Sequence, residues 1–168
     1  MYKTIFLVCT LLFVSISLVA QNKILVSKKD MSLSVISESG DILFVSAISV
    51  GENIGNKQRV GDCKTPEGEF EVVNIQDSRK WIHDFKDGKG PRKNAYGHFF
   101  IRLKVPHFTG IGIHGTCFPQ SIGNRSSEGC IRLKNEDMEK LVKLISIGCK
   151  CVIFPDSIYG ERSLSMNQ

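Results

Sequence analysis

Two glycine-rich stretches of this chain carry residues capable of chemistry. His114 lies in Gly112-Ile113-His114-Gly115-Thr116, and Cys130 lies in Ser126-Ser127-Glu128-Gly129-Cys130-Ile131-Arg132-Leu133. A thiol and an imidazole suit a cysteine nucleophile served by a histidine base. Glycine lets the backbone approach a substrate closely and turn its N–H groups toward a developing oxyanion. A free thiol, with a pKa of about 8.5, is only slightly ionised at neutral pH, and a neighbouring imidazolium raises the thiolate fraction. Arg132 follows Cys130 by two residues, so a regular strand puts both on one side. There a guanidinium can grip a carboxylate in a bidentate way. The separation of His114 from Cys130 decides nothing, because such partners are neighbours in space rather than in sequence.

Where the protein works bears on why it keeps a thiol. After Met1-Tyr2-Lys3, the run Thr4 to Ala20 holds no charge and ends in Leu18-Val19-Ala20. A basic start, an apolar stretch and a small terminal residue predict a secretory signal peptide over residues 1–20, with an uncleaved anchor as the competing reading. Export to the periplasm or cell envelope is the expectation, with no stable membrane span after cleavage. Of the six cysteines, Cys63, Cys117, Cys130, Cys149 and Cys151 lie beyond that segment. An odd number leaves at least one thiol unpaired. Cys149 and Cys151 alternate on one expected strand and read as small buried hydrophobes. A cysteine that stays reduced outside the cytoplasm needs a reason, and nucleophilic catalysis is one. On the residues alone, the chain reads as an exported cysteine acyl-transfer enzyme or hydrolase.

The elements that must hold these residues are mostly strands. The chain has 168 residues, 42% hydrophobic and 23% charged, which excludes a disordered or collagen-like polymer. No repeat or linker divides residues 21–168, so one domain is expected, with its core over about 23–155. Lys23–Ser27 is a short apolar run. Leu33, Val35 and Ser37 alternate before the turn Glu38-Ser39-Gly40-Asp41, and the β-prone run Ile42–Val50 completes a hairpin. Glu69–Ile75 and His98–Leu103 are further strands. Between them Asp77–Tyr96, carrying Trp81-Ile82-His83-Asp84-Phe85, is too polar and irregular for the core, and a loop of this length predicts a lid or binding rim. One helix is expected, capped by Asn135, with Met138, Leu141, Val142 and Ile145 on one face and Gly148 closing it. Cys149–Phe154 returns as a strand. The resulting fold class is mainly β, a sandwich or partly closed barrel with one helix packed on it.

These residues resemble the L,D-transpeptidase catalytic domain (YkuD-like) family. That family's signature joins a His-Gly pair to a later Ser/Thr-x-Gly-Cys followed by an apolar residue and often Arg. Here it reads Ile113-His114-Gly115-Thr116, Ser121-Ile122-Gly123, then Ser127-Glu128-Gly129-Cys130-Ile131-Arg132-Leu133. Lys64-Thr65-Pro66-Glu67-Gly68-Glu69-Phe70 and the closing Asn135-x-Asp137 to Val152 segment are also similar to the family. The resemblance implies attack by Cys130 on a peptidoglycan stem peptide, release of its terminal D-alanine, and transfer of the thioester to an amine of another stem or another acceptor. It implies an oxyanion site at the backbone of Glu128, Gly129 and Cys130, with His114 fixed by a carbonyl such as that of Gly115. Arg132, Ser127 and Thr116 are the expected substrate-binding residues. The family implies carbapenems as inhibitors and a role in wall biogenesis and cell shape. The chain departs from many members at Glu128, where they carry histidine, and at Cys117, where polar residues are common.

The alternatives are an L,D-carboxypeptidase using water as acceptor, and an inactive wall-binding module of the same fold. A sortase-like enzyme fits poorly, since Arg132 lies too close to Cys130 and no Thr-Leu-x-Thr-Cys segment occurs. Zinc binding by His83, His98, His107 and His114 lacks ligand spacing. No metal or other cofactor is expected. The formal charge of +5 is scattered, without a basic run to track nucleic acid, and a monomer is expected.

Overall fold

A computed structural model describes residues 21–156. The expected signal segment, residues 1–20, lies outside them. The strands are β1 (Lys23–Ser27), β2 (Ser32–Ile36), β3 (Ile42–Ala47), β4 (Val50–Gly51), β5 (Gly68–Asp77), β6 (Ile82–His83), β7 (Arg92–Lys93), β8 (Phe99–Leu103), β9 (Gly112–His114), β10 (Arg125–Ser127), β11 (Ile131–Arg132) and β12 (Lys150–Phe154), with one α-helix, α1 (Asn135–Leu141). Eight strands form the main sheet in the order β11-β9-β8-β5-β12-β1-β2-β3. The chain is mainly β, its sheet curled into a half-barrel with one helix.

Alternation places one face of this sheet in the core. Ile24 and Val26 of β1, Leu33 and Val35 of β2, and Cys151 and Ile153 of β12 are all buried while their neighbours are less so. Each such aliphatic side chain contributes about 1.5–3 kcal/mol through burial. Phe70, Val72, Ile101, Ile113, Ile131 and Leu133 continue the same core, and Met138 and Leu141 of α1 pack onto it. Cys149 and Cys151 are buried free thiols, as their alternation implied, and Cys63, Cys117 and Cys130 are also free.

Two expected elements come out differently. The run Ile42–Val50 is divided: β3 stops at Ala47, and Val50–Gly51 pairs in parallel with β10. Between them Ser49 exchanges backbone hydrogen bonds with Arg132, both at 2.8 Å, which carries the chain from β3, one edge of the main sheet, to β11, the other. The helix is also shorter than its apolar periodicity suggested. It ends at Leu141, and Lys143 and Leu144 bond to carbonyls only three residues back. β-Branched Val142, Ile145 and Ile147 favour continuation weakly, and the Gly148 amide is drawn to the Val72 carbonyl at 2.8 Å. Asn135 is not the cap; Lys134 holds that position without a side-chain bond.

Candidate active site

β9 and β11 run side by side and in parallel, aligning His114 with Arg132. Their register is tied by the Leu133 amide, which donates to the His114 carbonyl at 2.9 Å. A groove of ≈ 560 Å³ opens beside this pair, and Cys130, His114, Arg132 and Glu128 all line it. The structure thus gathers four of the eight expected site residues around one opening.

His114 is 3% exposed and held from three sides. Its ring stacks on Phe100, with centroids 5.4 Å apart and planes at 10°, and meets Tyr96 edge-on at 4.9 Å. Nδ1 lies 2.6 Å from the Gly115 carbonyl, so it carries the proton and donates there. In the neutral ring Nε2 is therefore the basic nitrogen. Burial pushes the His114 pKa down to about 3, against the opposing effect of the Gly115 bond, and the Arg132 charge lowers it further. The resting imidazole is neutral. An imidazolium that pre-ionises the thiol, as the residue types suggested, is absent from this arrangement.

The carbonyl that orients His114 is itself fixed. Asn135 accepts from the Thr116 amide through Oδ1 at 3.0 Å and donates to the Thr116 carbonyl through Nδ2 at 3.2 Å. Gly115 and Gly97 face this amide so closely that a Cβ on either would collide with Asn135 Oδ1. The side chain expected to cap the helix instead buckles the His114 strand to it.

Cys130 follows a shaped turn. Gly129 has φ +132°, a conformation L side chains rarely adopt, and a Cβ there would stand 2.8 Å from the Lys64 carbonyl. Thr65 Oγ1 donates to the Gly129 carbonyl at 3.0 Å and accepts from the Gly51 amide at 2.8 Å. The Cys130 thiol donates to the Gly110 carbonyl, with S···O 3.3 Å. Burial raises the Cys130 pKa above the usual thiol value; a Gly112 backbone contact, Arg132 and Lys57 act to lower it, and Glu128 adds to the rise.

Three of the expected site groups are engaged within the protein. Ser127 and Thr116 were expected to meet substrate, yet each is only 2% exposed. Ser127 Oγ donates to the Cys130 carbonyl at 2.5 Å and accepts from the Gly129 amide at 3.1 Å, so it braces the turn. Thr116 Oγ1 accepts from the Phe118 amide at 2.9 Å. The Gly129 N–H, expected to face an oxyanion, is thereby already bonded inside the turn. The Gly115 carbonyl, by contrast, makes the bond to His114 described above.

Arg132 is 7% exposed. Its Nη1 donates to the Ser126 carbonyl at 3.1 Å, and its guanidinium lies 5.6 Å from the Phe85 ring centroid. Among the described residues, no ion pair includes it. A buried guanidinium with donors to spare suits a ligand carboxylate.

The segment 77–96 does form a rim, with His83, Asp84, Phe85, Lys86, Ala95 and Tyr96 facing the groove. β6 and β7 pair within it, and Trp81 anchors it against Phe100 and Tyr96 at 5.4 and 5.6 Å. The opposite wall, which the motifs did not reveal, includes Lys57 and Cys63. Lys57 pairs with Asp62 at 2.8 Å; burial acts to raise the Asp62 carboxyl, but this pair and the Gln58, Arg59 and Lys64 amides hold it well below its ordinary range. Elsewhere, fully buried Lys28 pairs with Glu67 at 2.5 Å and Asp156 at 3.1 Å. In the sequence Lys28 sits in the polar turn Ser27-Lys28-Lys29-Asp30, just past β1, so no local pattern announced this clamp. Among the described residues, no cluster of His, Cys, Asp or Glu side chains is arranged to hold a metal ion, and no helix is long and apolar enough to cross a membrane.

Comparisons with known proteins agree with this geometry. The L,D-transpeptidase catalytic domain family matches residues 21–153. A Bacillus licheniformis protein named as an L,D-transpeptidase, YkuD, is 36% identical over 92 residues, covering 55% of this chain and 46% of that relative. The chain thus spans about half the length of the first curated relatives it matches. Among solved structures, the helical cell shape determining protein Pgp2 from Campylobacter jejuni shares 25% identity over 82% of this chain and 48% of that one, with a TM-score of 0.60. The catalytic domain of the E. faecium L,D-transpeptidase shares the fold, with a TM-score of 0.58 at 21% identity, over 80% of this chain and 98% of that one. With its motifs, its curled sheet and its Cys–His–Arg groove on one pattern, the chain belongs to the L,D-transpeptidase catalytic domain family.

Proposed function

We propose that this protein is an exported cysteine L,D-transpeptidase acting on peptidoglycan stem peptides in the periplasm or cell envelope, with Cys130 as nucleophile and His114 as base. One observation carries the reading: a neutral, buried His114 whose Nδ1 is committed to the Gly115 carbonyl, leaving Nε2 for the groove that Cys130 shares. The positive charge of Lys3 and the uncharged run from Thr4 to Ala20 support export.

The chemistry follows from a neutral thiol–imidazole pair. His114 takes the Cys130 proton as sulfur attacks the amide carbon before the terminal D-alanine. The Cys130 and Glu128 amides, which have no protein acceptor among the described residues, serve the oxyanion in place of Gly129. The imidazolium exists only during this step, when the oxyanion compensates its charge. It then protonates the departing D-alanine amine. Arg132 receives a stem carboxylate. An amine of a second stem next attacks the thioester carbon, the C–S bond breaks, and sulfur recovers a proton through His114. Water in that role trims the stem and makes the enzyme an L,D-carboxypeptidase.

Purified protein incubated with disaccharide-tetrapeptide and followed by mass analysis tests the reading. Cross-linked dimer or tripeptide is expected, together with one carbapenem adduct located at Cys130 and loss of both in Cys130→Ala. An unmodified substrate and an unlabelled Cys130 would leave a wall-binding module as the answer.

A further inference from the structure

We propose that Glu128, held by His83, forms the subsite that receives the amine of the acceptor. The inference rests on the transpeptidase reading above and assigns a substrate-binding role to two side chains outside the Cys–His pair.

Glu128 immediately precedes the Gly129-Cys130 pair and lines the groove, with its side chain 62% exposed. The carboxylate is therefore open to an incoming ligand while standing beside the reacting sulfur. It reaches His83 Nε2 at 3.4 Å, a long contact that leaves most of its hydrogen-bonding capacity free. His83 is fixed in turn: Nδ1 lies 2.9 Å from the Tyr96 hydroxyl, and its ring meets Phe85 edge-on at 4.5 Å. If the Tyr96 hydroxyl donates to Nδ1, Nε2 carries the ring proton and points it at the carboxylate. Tyr96 also rests on His114. One chain of contacts therefore runs from the rim carboxylate to the ring that handles the proton.

The charge pattern gives this carboxylate its purpose. Beside the nucleophile stand an unpaired guanidinium, Arg132, and an open carboxylate, Glu128. A donor stem needs the first for its carboxylate. The second works against the first half-reaction, because its charge disfavours a thiolate at Cys130. That opposition is offset when the carboxylate attracts a cation, and the cation this reaction requires is the acceptor's ammonium group. Asp84 and Lys86 on the rim carry opposite charges, and the Asp84 carboxylate is engaged by the Lys86 amide at 2.8 Å, so Glu128 is the carboxylate left open to a ligand.

The step balances without another reactant. The ammonium, held by Glu128, releases one proton to solvent through the open face of the groove. The free amine forms the new C–N bond as the thioester C–S bond breaks. The second proton goes from nitrogen to His114 and then to the Cys130 sulfur.

The test uses the full protein acylated by tetrapeptide, with Nα-acetyl-lysine amide as acceptor, a side-chain amine bearing no other charge. The ratio of aminolysis to hydrolysis is read by mass spectrometry among molecules that have acylated. That ratio is expected to fall about tenfold in Glu128→Gln, as for the loss of one charge-assisted hydrogen bond. A smaller fall is expected in His83→Gln, which frees the carboxylate from its tether. In wild type the ratio should decline with added salt, and in Glu128→Gln that decline should disappear. An unchanged ratio in Glu128→Gln, with or without a change in tetrapeptide KM, overturns the subsite alone. Failure of the wild type to acylate at Cys130 overturns the transpeptidase reading, and the subsite with it.

Discussion

Asn135 grips both sides of one peptide position, accepting from the Thr116 N–H and donating to the Thr116 C=O. Gly115, the neighbour whose carbonyl sets the His114 tautomer, has no side chain because that amide occupies the space. The first helical residue therefore governs the orientation of a ring on a distant strand.

This coupling is measurable. Gly115→Ala should collide with Asn135, lowering the carbapenem acylation rate at least tenfold, while the same change in an Asn135→Ala background should cost less. A coupling of about 0.5–3 kcal/mol is expected from the double-mutant cycle. Strict additivity of the two effects on acylation would show that the clash is relieved elsewhere.

His114 predicts a specific response to acid. Its pKa is pushed down to about 3 in the fold by burial, whereas the unfolded chain binds that proton near pH 6.5. The unfolded state thus holds more protons between these values, and stability falls as pH drops through the window, by on the order of 5 kcal/mol in total. Urea unfolding at pH 7 and pH 4 should show a larger loss for wild type than for His114→Gln. The same variant should acylate about 10²–10⁴-fold more slowly at neutral pH. Equal acid sensitivity of the two proteins would mean that His114 is not held neutral.

For Arg132, a graded loss is expected. Lysine cannot reproduce the planar fork, and a charge-assisted hydrogen bond contributes about 1.5–3 kcal/mol, so Arg132→Lys should lose roughly ten- to a hundredfold in kcat/KM. Thermal unfolding of the variant separates the two roles open to this side chain. A large drop in Tm with normal turnover of the folded fraction would reassign Arg132 to holding the Ser126 carbonyl and Phe85.

Alkylation of Cys130 reports on its neighbours. Burial sets its pKa above the ordinary thiol range, and Glu128 pushes it further in the same direction. Iodoacetamide labelling should therefore rise with pH later than for a free cysteine, and Glu128→Gln should move the curve toward lower pH. A curve moved to higher pH would show that Glu128 does not act on the sulfur through its charge.

Much of this was legible from residue pattern, and the failures share a cause. Alternation in Leu33–Ser37 and Glu69–Ile75 marks strands because each strand of the sheet buries one face. His114 and Cys130 stood out because glycine flanks them. Asn135 was misread as the helix cap, and the internal bonds of Ser127 and Thr116 went unseen, because a short polar side chain beside a motif looks the same whether it points to ligand or to backbone. Only the folded chain shows that Ser127 braces the Cys130 turn and that Asn135 reaches back to Thr116. The His83–Glu128 contact joins residues far apart in sequence, and no local pattern announces such a meeting.

Strand β12 lies between β5 and β1, antiparallel to the first and parallel to the second. It is the seam between a sheet half made early in the chain, β1 to β3, and the half that bears the groove. The edges of β1 and β5 that face β12 can pair only once residues 150–154 have been made. Such pairing of distant segments makes folding slow. Joining of the two sheet halves therefore waits on β12, and a chain truncated before it should present two open strand edges to proteases and to other copies of itself.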